Sequence, residues 1–507
     1  MNLLSELRDL LVIHYRSPES LQLNNGQRAG GGGTLISKFL QMLWSSPVVD
    51  EDAIARELYG AAADRSSNSY KQLRRRVIDE MGSEVLSIDL NSPAFTPWQR
   101  GYYGAHRDLA IAEVLRGRNV SAAAAFYHRR ALKNAELFEA TPVRLVATKA
   151  LRYYSSVVER DAKAHRHYDE AHERAVEDLR TESDIHRLFS ELILLEHVAA
   201  ADRSELHQRA AIAADYLSQR YDISRLSQRY VHSYFVIQLM VWESIADHDN
   251  CLQIIEKALD YFENQAYPAP TPLAYFRASR MSVYMMLGRY REAQDDYRKA
   301  LPLVKPFTPV GTLVYERSIL LSLHQQQYAE AYNQYCQFTG QAGFHSLSER
   351  TRENWHVYRA YIHLLKLSGE LSGQGLRDPL GEFRRGKFLN DVTKVAQEKR
   401  GRNIPVLVVD LLLALMSGNG TFWDQQSGLE KYLTRYLRPD TQYRSYCFVH
   451  ILLELSRSNR RRSEFLSRSA GWRTKLTAAP LKSADQSIEI EVIPYEVLLD
   501  IVISRLR

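Results

Sequence analysis

Cysteine is scarce in this 507-residue chain: Cys251, Cys336 and Cys447 stand far apart. They form no C-x-x-C pair and no disulfide-dense pattern, which points to a reducing compartment. Long apolar runs are missing too. The longest, VLVVDLLLALM at 406–416, is about half of what a helix needs to cross a bilayer, and Asp410 interrupts it. The opening stretch, MNLLSELRDLLVIHYRSPES, carries acidic residues early and no small-residue cleavage site, so it reads as a helix of the mature protein and not as a signal peptide. A cytoplasmic protein without membrane contact is the expectation. Charge of one sign is not in excess: Lys+Arg 66 against Asp+Glu 60 leaves +6, too little over this length to argue for nucleic acid by itself. Strand-like alternation is confined to EVLSIDL at 84–90 and SIEIEVI at 487–493, each predicted to form a strand.

Catalytic signatures are also absent. No H-E-x-x-H, G-x-S-x-G or paired-cysteine motif occurs. The run NNGQRAGGGGTLISKFLQML at 24–43 places Gly30 to Gly33 before a helix, as a phosphate-binding loop would. Yet glycine fills the lysine slot ahead of Thr34, and Lys38 lies within the helix, away from its start. A surface loop with Thr34 as helix N-cap fits better. In KAHRHYDEAHERA, His165, Asp169 and His172 share one helix face, as zinc ligands could. They span two turns beside an apolar seam, and packing-edge residues are the better reading. Carboxylate pairs such as Asp295 and Asp296 fall where helix surfaces carry charge. No catalytic residue, cofactor or metal site is expected, and the chain is read as a non-enzyme.

What is present is helical periodicity and tyrosine, 30 residues of it. Leu73, Val77 and Met81 recur every four residues and predict a helix over 70–81. In FRASRMSVYMMLGRYREAQDDYRKALPLVKPF, the positions of Tyr284, Gly288, Tyr290, Ala293, Tyr297, Ala300 and Pro306 match a tetratricopeptide (TPR) helix pair. The next unit repeats the theme with Tyr328, Ala331 and Tyr335, and Lys257–Leu259 echoes Lys299–Leu301. The period is longer than the roughly 34 residues of a regular TPR, so irregular, TPR-like pairs are expected.

Two regions are candidate binding surfaces. Helix, helix, basic helix and possible strand over 34–90 is the order of a winged helix–turn–helix domain, in which Lys71, Arg74 and Arg75 would meet phosphates. A small helical cap with a solvated basic face is the plainer alternative. From Arg377 to Lys475 there are 19 Lys/Arg against 10 Asp/Glu. The clusters FRRGKF and QEKRGRN supply Arg384, Arg385, Lys399, Arg400 and Arg402, a surface for an acidic protein or nucleic acid.

The C-terminal third carries a resemblance. Phe388–Asn390, Lys399–Gly401 with Asn403–Ile404, Tyr432 with Arg435–Leu437, and Ile493–Glu496 are similar to the motifs of an uncharacterised all-helical family common in Bacteroidetes. The chain departs from that family in VAQEKRG and in the short SGNGTFW linker. The resemblance implies a TPR-like helical fold in a stand-alone cytoplasmic protein. It brings no catalytic residue or substrate.

The expected architecture is all-α: a TPR-like α-solenoid over 93–370, opened by a winged-helix-like or helical cap over 1–92 and closed by a basic helical segment over 371–507. The expected function is that of a non-enzymatic adaptor or scaffold binding a protein or peptide. The alternative is a DNA-binding transcriptional regulator with the array as its sensor.

Overall fold

A computed structural model describes residues 3–15, 17–21, 34–46, 49–198, 203–223, 226–265, 267–372, 377–393, 403–416, 442–458, 461–483 and 488–506, with isolated positions 430, 433, 437 and 439. The described residues form α-helices and no strand. In chain order the helices are α1 (Leu3–His14), α2 (Leu35–Ser45), α3 (Glu51–Tyr59), α4 (Asn68–Ser87), α5 (Pro97–Gly117), α6 (Ser121–Leu137), α7 (Thr141–Tyr154), α8 (Ala162–Val198), α9 (Arg203–Arg220), α10 (Gln228–Glu243), α11 (His248–Glu263), α12 (Pro270–Met286), α13 (Tyr290–Ala300), α14 (Pro309–His324), α15 (Tyr328–Thr339), α16 (Glu349–Ser368), α17 (Arg385–Asp391), α18 (Ile404–Met416), α19 (Tyr443–Arg457), α20 (Arg462–Ala478) and α21 (Tyr495–Ser504). No described helix is long and apolar enough to cross a membrane. The chain divides into two compact units, Met1–Glu182 and Ser183–Arg507.

In the first unit, α1 to α4 close around Leu4, Leu11, Phe39, Leu43, Tyr70, Leu73, Val77 and Met81. Thr34 caps α2 as its sequence position suggests, accepting a hydrogen bond from the Ser37 amide at 3.2 Å. Gly30–Gly33 lie outside the described residues. The strand expected at 84–90 is not formed. Val77, Met81, Val85 and Ile88 continue one helical stripe into the same core, so α4 runs on to Ser87 before the chain turns. Helices α5, α6 and α7 then pack in succession.

One turn recurs at five of the connections between consecutive helices. Asn119, Glu139, Ala246, Gly288 and Gln326 all take positive φ, between 55° and 71°. In each case the next amide bonds to a carbonyl five residues earlier: Val120 to Leu115, Ala140 to Ala135, Asp247 to Trp242, Arg289 to Tyr284 and Gln327 to Ser322, at 2.8–3.0 Å. This is the Schellman arrangement, which satisfies the last carbonyls of the first helix. Glycine fills it only at Gly288; a side chain in that conformation costs about 1 kcal/mol, which packing of the helix pair outweighs.

In the second unit, a continuous core runs from Met281 on α12 to Val502 on α21, with Trp355, Tyr335, Phe338 and Phe448 fully buried. Polar clamps tie the pairs. Asp296, expected on a helix surface, is buried at 2% exposure, where Arg280 grips both its oxygens at 2.7 Å and Arg277 adds a third bond at 3.3 Å. Asp295 does sit at the surface, paired with Arg298.

The second predicted strand is also absent. Ile488–Ile490 form a 3₁₀ turn and the chain then bends toward α21, with Ile488, Ile490, Glu491, Val492 and Ile493 all buried. Burial on both sides removes the reason for period-two pairing. Arg444 holds this return segment. Its guanidinium donates to Glu491 at 2.6 and 3.0 Å, to Glu496 at 2.7 and 2.9 Å, and to the carbonyls of Leu476 and Ala479. Burial pushes the Glu491 carboxyl up, and Arg444 opposes that shift. Arg444→Ala therefore strands a fully buried carboxylate and is expected to cost about 3–5 kcal/mol, with Arg444→Lys intermediate because the fork is lost. Chemical denaturation of the full chain measures both; a loss below about 1 kcal/mol for the alanine variant would contradict the clasp.

Candidate functional site: a polar row in a recess of the second unit

Helices α10, α12, α14 and α16 bury apolar side chains on nearly every side, yet each keeps polar groups on one face. On α10, His232 and Glu243 are eleven residues apart, three helical turns, and so share a face. On α12, Tyr275 and Ser279 are one turn apart. On α14, Glu316 and Arg317 are adjacent charges between Val314 and Ile319. The 3₁₀ turn adds Glu489, which pairs with Arg317. Glu196 of α8 and Arg203 of α9 complete the electrostatic neighbourhood of Glu243.

These groups combine two properties. Glu243 is exposed, and Glu316, Arg317, Tyr275 and His232 are partly open to water. Protein nonetheless crowds them. Burial lifts the Glu243 carboxyl to about 7, with Glu196 adding to the shift and Arg317 opposing it. Glu316 also rises to about 7, chiefly through burial and against the pull of Arg317. The His232 ring is driven down to about 4 by burial alone, and the Tyr275 hydroxyl is pushed up. These side chains make a partly open polar row, the recess, in which solvation by water is incomplete. Hydrogen bonding inside the recess is incomplete. Arg317 reaches Glu489 through Nη2, but its Nε and Nη1 are buried without a partner. His232 Nε2 is likewise unpartnered. Trp355, at 0% exposure, faces Glu316 without a hydrogen bond of normal geometry at its Nε1.

The described basic residues singled out from the sequence lie on α4 in the first unit and at the start of α17 in the second. Lys71 and Arg75 are exposed on α4. Arg74 bonds Glu51 at 2.8 Å. Arg384 pairs with Glu382 at 3.1 Å, both about three-quarters exposed, and Arg385 is held by Asp410 at 2.6 and 2.9 Å. Lys399, Arg400 and Arg402 lie outside the described residues. The three tested as metal ligands are engaged at the α7–α8 seam: Asp169 with Arg152 at 2.8 Å, His165 Nδ1 with the Arg152 carbonyl at 3.2 Å, and His172 Nδ1 with Thr148 at 3.2 Å. Comparison with known proteins returns no matching family model, no matching curated protein and no matching solved structure.

The recess carries a pH signature. Burial lets the folded chain hold the Glu316 proton up to about pH 7, whereas the unfolded chain releases it near the ordinary 4.5. Its contribution to stability is full below that lower value and is lost as pH rises to about 7. Glu316→Gln removes this site, so its melting temperature should gain on wild type as pH climbs from 4.5 to 7. Parallel thermal scans across that range measure the difference; a gap independent of pH would contradict the assignment.

Proposed function

We propose that this protein is a non-enzymatic helical-repeat adaptor that holds a segment of a partner protein in the recess of residues 183–507. The observation that carries this reading is the row of water-accessible, closely crowded polar groups running across α10, α12 and α14. Stacked helix pairs offer extended binding surfaces through side chains on successive inner helices. The row offers hydrogen-bonding and charged groups without the nucleophile–base pairing of a covalent catalyst. Selection of an unbiased displayed peptide library on the full chain tests it. A consensus should emerge and be lost with Glu243→Trp, which puts bulk at the open end of the row, while the melting curve is preserved. Absence of any enrichment, or enrichment indifferent to Glu243→Trp, counts against the reading.

A second reading, DNA binding by the N-terminal helices, has Lys71 and Arg75 in its favour, both exposed on α4. Against it, Arg74 is paired with Glu51, and helix occupies most of the segment where a wing strand was expected. Binding of duplex DNA measured against salt decides. If α4 meets phosphates, log affinity should fall with log salt at a slope of roughly 0.9 per contact, and Lys71→Ala should shallow that slope by about 1. No dependence on Lys71 overturns it.

A further inference from the structure

Helices α20 and α21 leave a groove between them. Its volume is about 610 Å³, inside the roughly 300–1,000 Å³ of small-molecule sites. Both walls follow from helical spacing. Arg473 and Thr477 are four residues apart on α20, and Glu496, Leu499, Asp500 and Ile503 stand at i, i+3, i+4 and i+7 on α21, so each set shares one helix face. The two faces bound the same space.

The floor of the groove is apolar. Leu476 is 1% exposed and Leu499 7%, with Ile503 half-buried beside them. The rims carry opposite charges that do not meet. On α20, the half-buried Arg473 has no hydrogen-bond or ion-pair partner among the described residues, and neither has the exposed Thr477 hydroxyl. On α21, the exposed Asp500 is likewise without a partner among them. Glu496, one turn before it, is already held by Arg444 at 2.7 and 2.9 Å, so Asp500 is the free carboxylate of the groove. Elsewhere in this unit opposite charges on neighbouring elements find each other: Arg280 with Asp296, Arg359 with Asp378 and Arg385 with Asp410. Arg473 and Asp500 line one groove without closing such a pair across it.

These features define an occupant. It needs an anionic end for Arg473 and the Thr477 hydroxyl, a cationic end for Asp500, and an apolar body between them. A guanidinium matches a carboxylate through two parallel N–H bonds, and an ammonium matches the Asp500 carboxylate. An inorganic anion or a simple amine meets only one rim. A third helix fits the shape, but its apolar ridge would take Arg473 and Asp500 out of water unpaired. The groove holds the liquid volume of about twenty waters, and so a molecule of about twenty non-hydrogen atoms. A free amino acid underfills it, and a dipeptide with two large side chains matches. We propose that the α20–α21 groove binds a short apolar peptide with free termini, its carboxylate at Arg473 and Thr477, its ammonium at Asp500 and a side chain on Leu476, Leu499 and Ile503. The reverse orientation sets ammonium against guanidinium, so the direction of binding is fixed. The groove shares no residue with the polar row, and the proposal does not rest on the adaptor reading.

The test uses the full chain with leucyl-leucine and two capped forms: N-acetyl-leucyl-leucine, which lacks the ammonium, and leucyl-leucine amide, which lacks the carboxylate. Ligand-observed NMR titration at neutral pH and low salt, where screening is weak, should give leucyl-leucine a Kd of about 1 mM or below and each capped form a value about tenfold higher. Glycyl-glycine, without the apolar side chains, should also bind about tenfold more weakly. Arg473→Gln and Asp500→Asn change partnerless side chains, so both should keep the wild-type melting curve. Arg473→Gln should weaken leucyl-leucine about tenfold and make it indifferent to amidation but not to acetylation, and Asp500→Asn should show the reverse pattern. Such pairing of each variant with one terminus places the ligand in the groove. Absence of saturable binding up to about 10 mM, capped forms that bind as well as the free dipeptide, or variants that leave the effects of capping unchanged would each overturn the proposal.

Discussion

The second unit depends on Arg444. One guanidinium, 3% exposed at its side chain, joins α19 to the Glu491 and Glu496 carboxylates and to carbonyls at the end of α20. Without it, Glu491 would be a charge fully removed from water, and the return segment would lose its tie to α19. Two further bonds follow from that tie. His324 Nε2 donates to the Glu491 carbonyl at 2.7 Å, which ties the end of α14 to the segment, and Glu489 is delivered to Arg317. Residues nearly five hundred positions into the chain thus complete a recess begun at Glu196. The neutral state of His324, held down to about 4 by burial, belongs to the same arrangement, since a cationic ring beside Arg444 would be opposed.

The recess and the core draw on opposite uses of the same helices. Helix α14 buries Val314, Ile319, Leu320, Leu321 and Leu323 and still presents Glu316 and Arg317 side by side. A helix apolar almost all round belongs inside a structure, and two adjacent charges within it face a place the core leaves unfilled. Glu243 stands similarly at the end of α10, directly after the apolar run of Leu239 to Trp242. Desolvation is what makes such positions chemically distinct, and it acts on groups several helices apart at once.

Much of the helical architecture was legible in the sequence, and the recess was not. The spacing of Leu73, Val77 and Met81 identified α4, and Tyr284, Gly288 and Ala293 identified the α12–α13 pair, because periodicity and turn chemistry are local. Glu84 to Leu90 misled because a short apolar alternation also satisfies the last turn of a helix whose stripe is already set. SIEIEVI misled because Ile488–Ile490 close into a 3₁₀ turn and the residues after it are buried without forming a strand. The basic clusters drew notice through density of charge, yet Arg74, Arg384 and Arg385 proved to be paired locally. Glu243, Glu316 and Arg317 are single charges scattered over 75 residues, and only the ring contacts of α10 with α12 and the packing of α12 against α14 connect their helices. The signal that could have found two of them was the Glu316–Arg317 pair between Val314 and Ile319.

The repeated Schellman turn has a consequence for how such a chain can change. Each turn reads only six residues of backbone, so it forms wherever the preceding helix ends, whatever that helix's length. Adding or removing one residue inside a helix would therefore leave the turn intact while rotating every later side chain of that helix by about 100° about its axis. The hairpins would persist, but Glu243 or Arg317 would swing out of the recess and an apolar neighbour would take its place. Helix length between turns thus works as an index that assigns residues to the recess or to the core, and it is constrained by the contents of the recess more tightly than by the hairpins themselves.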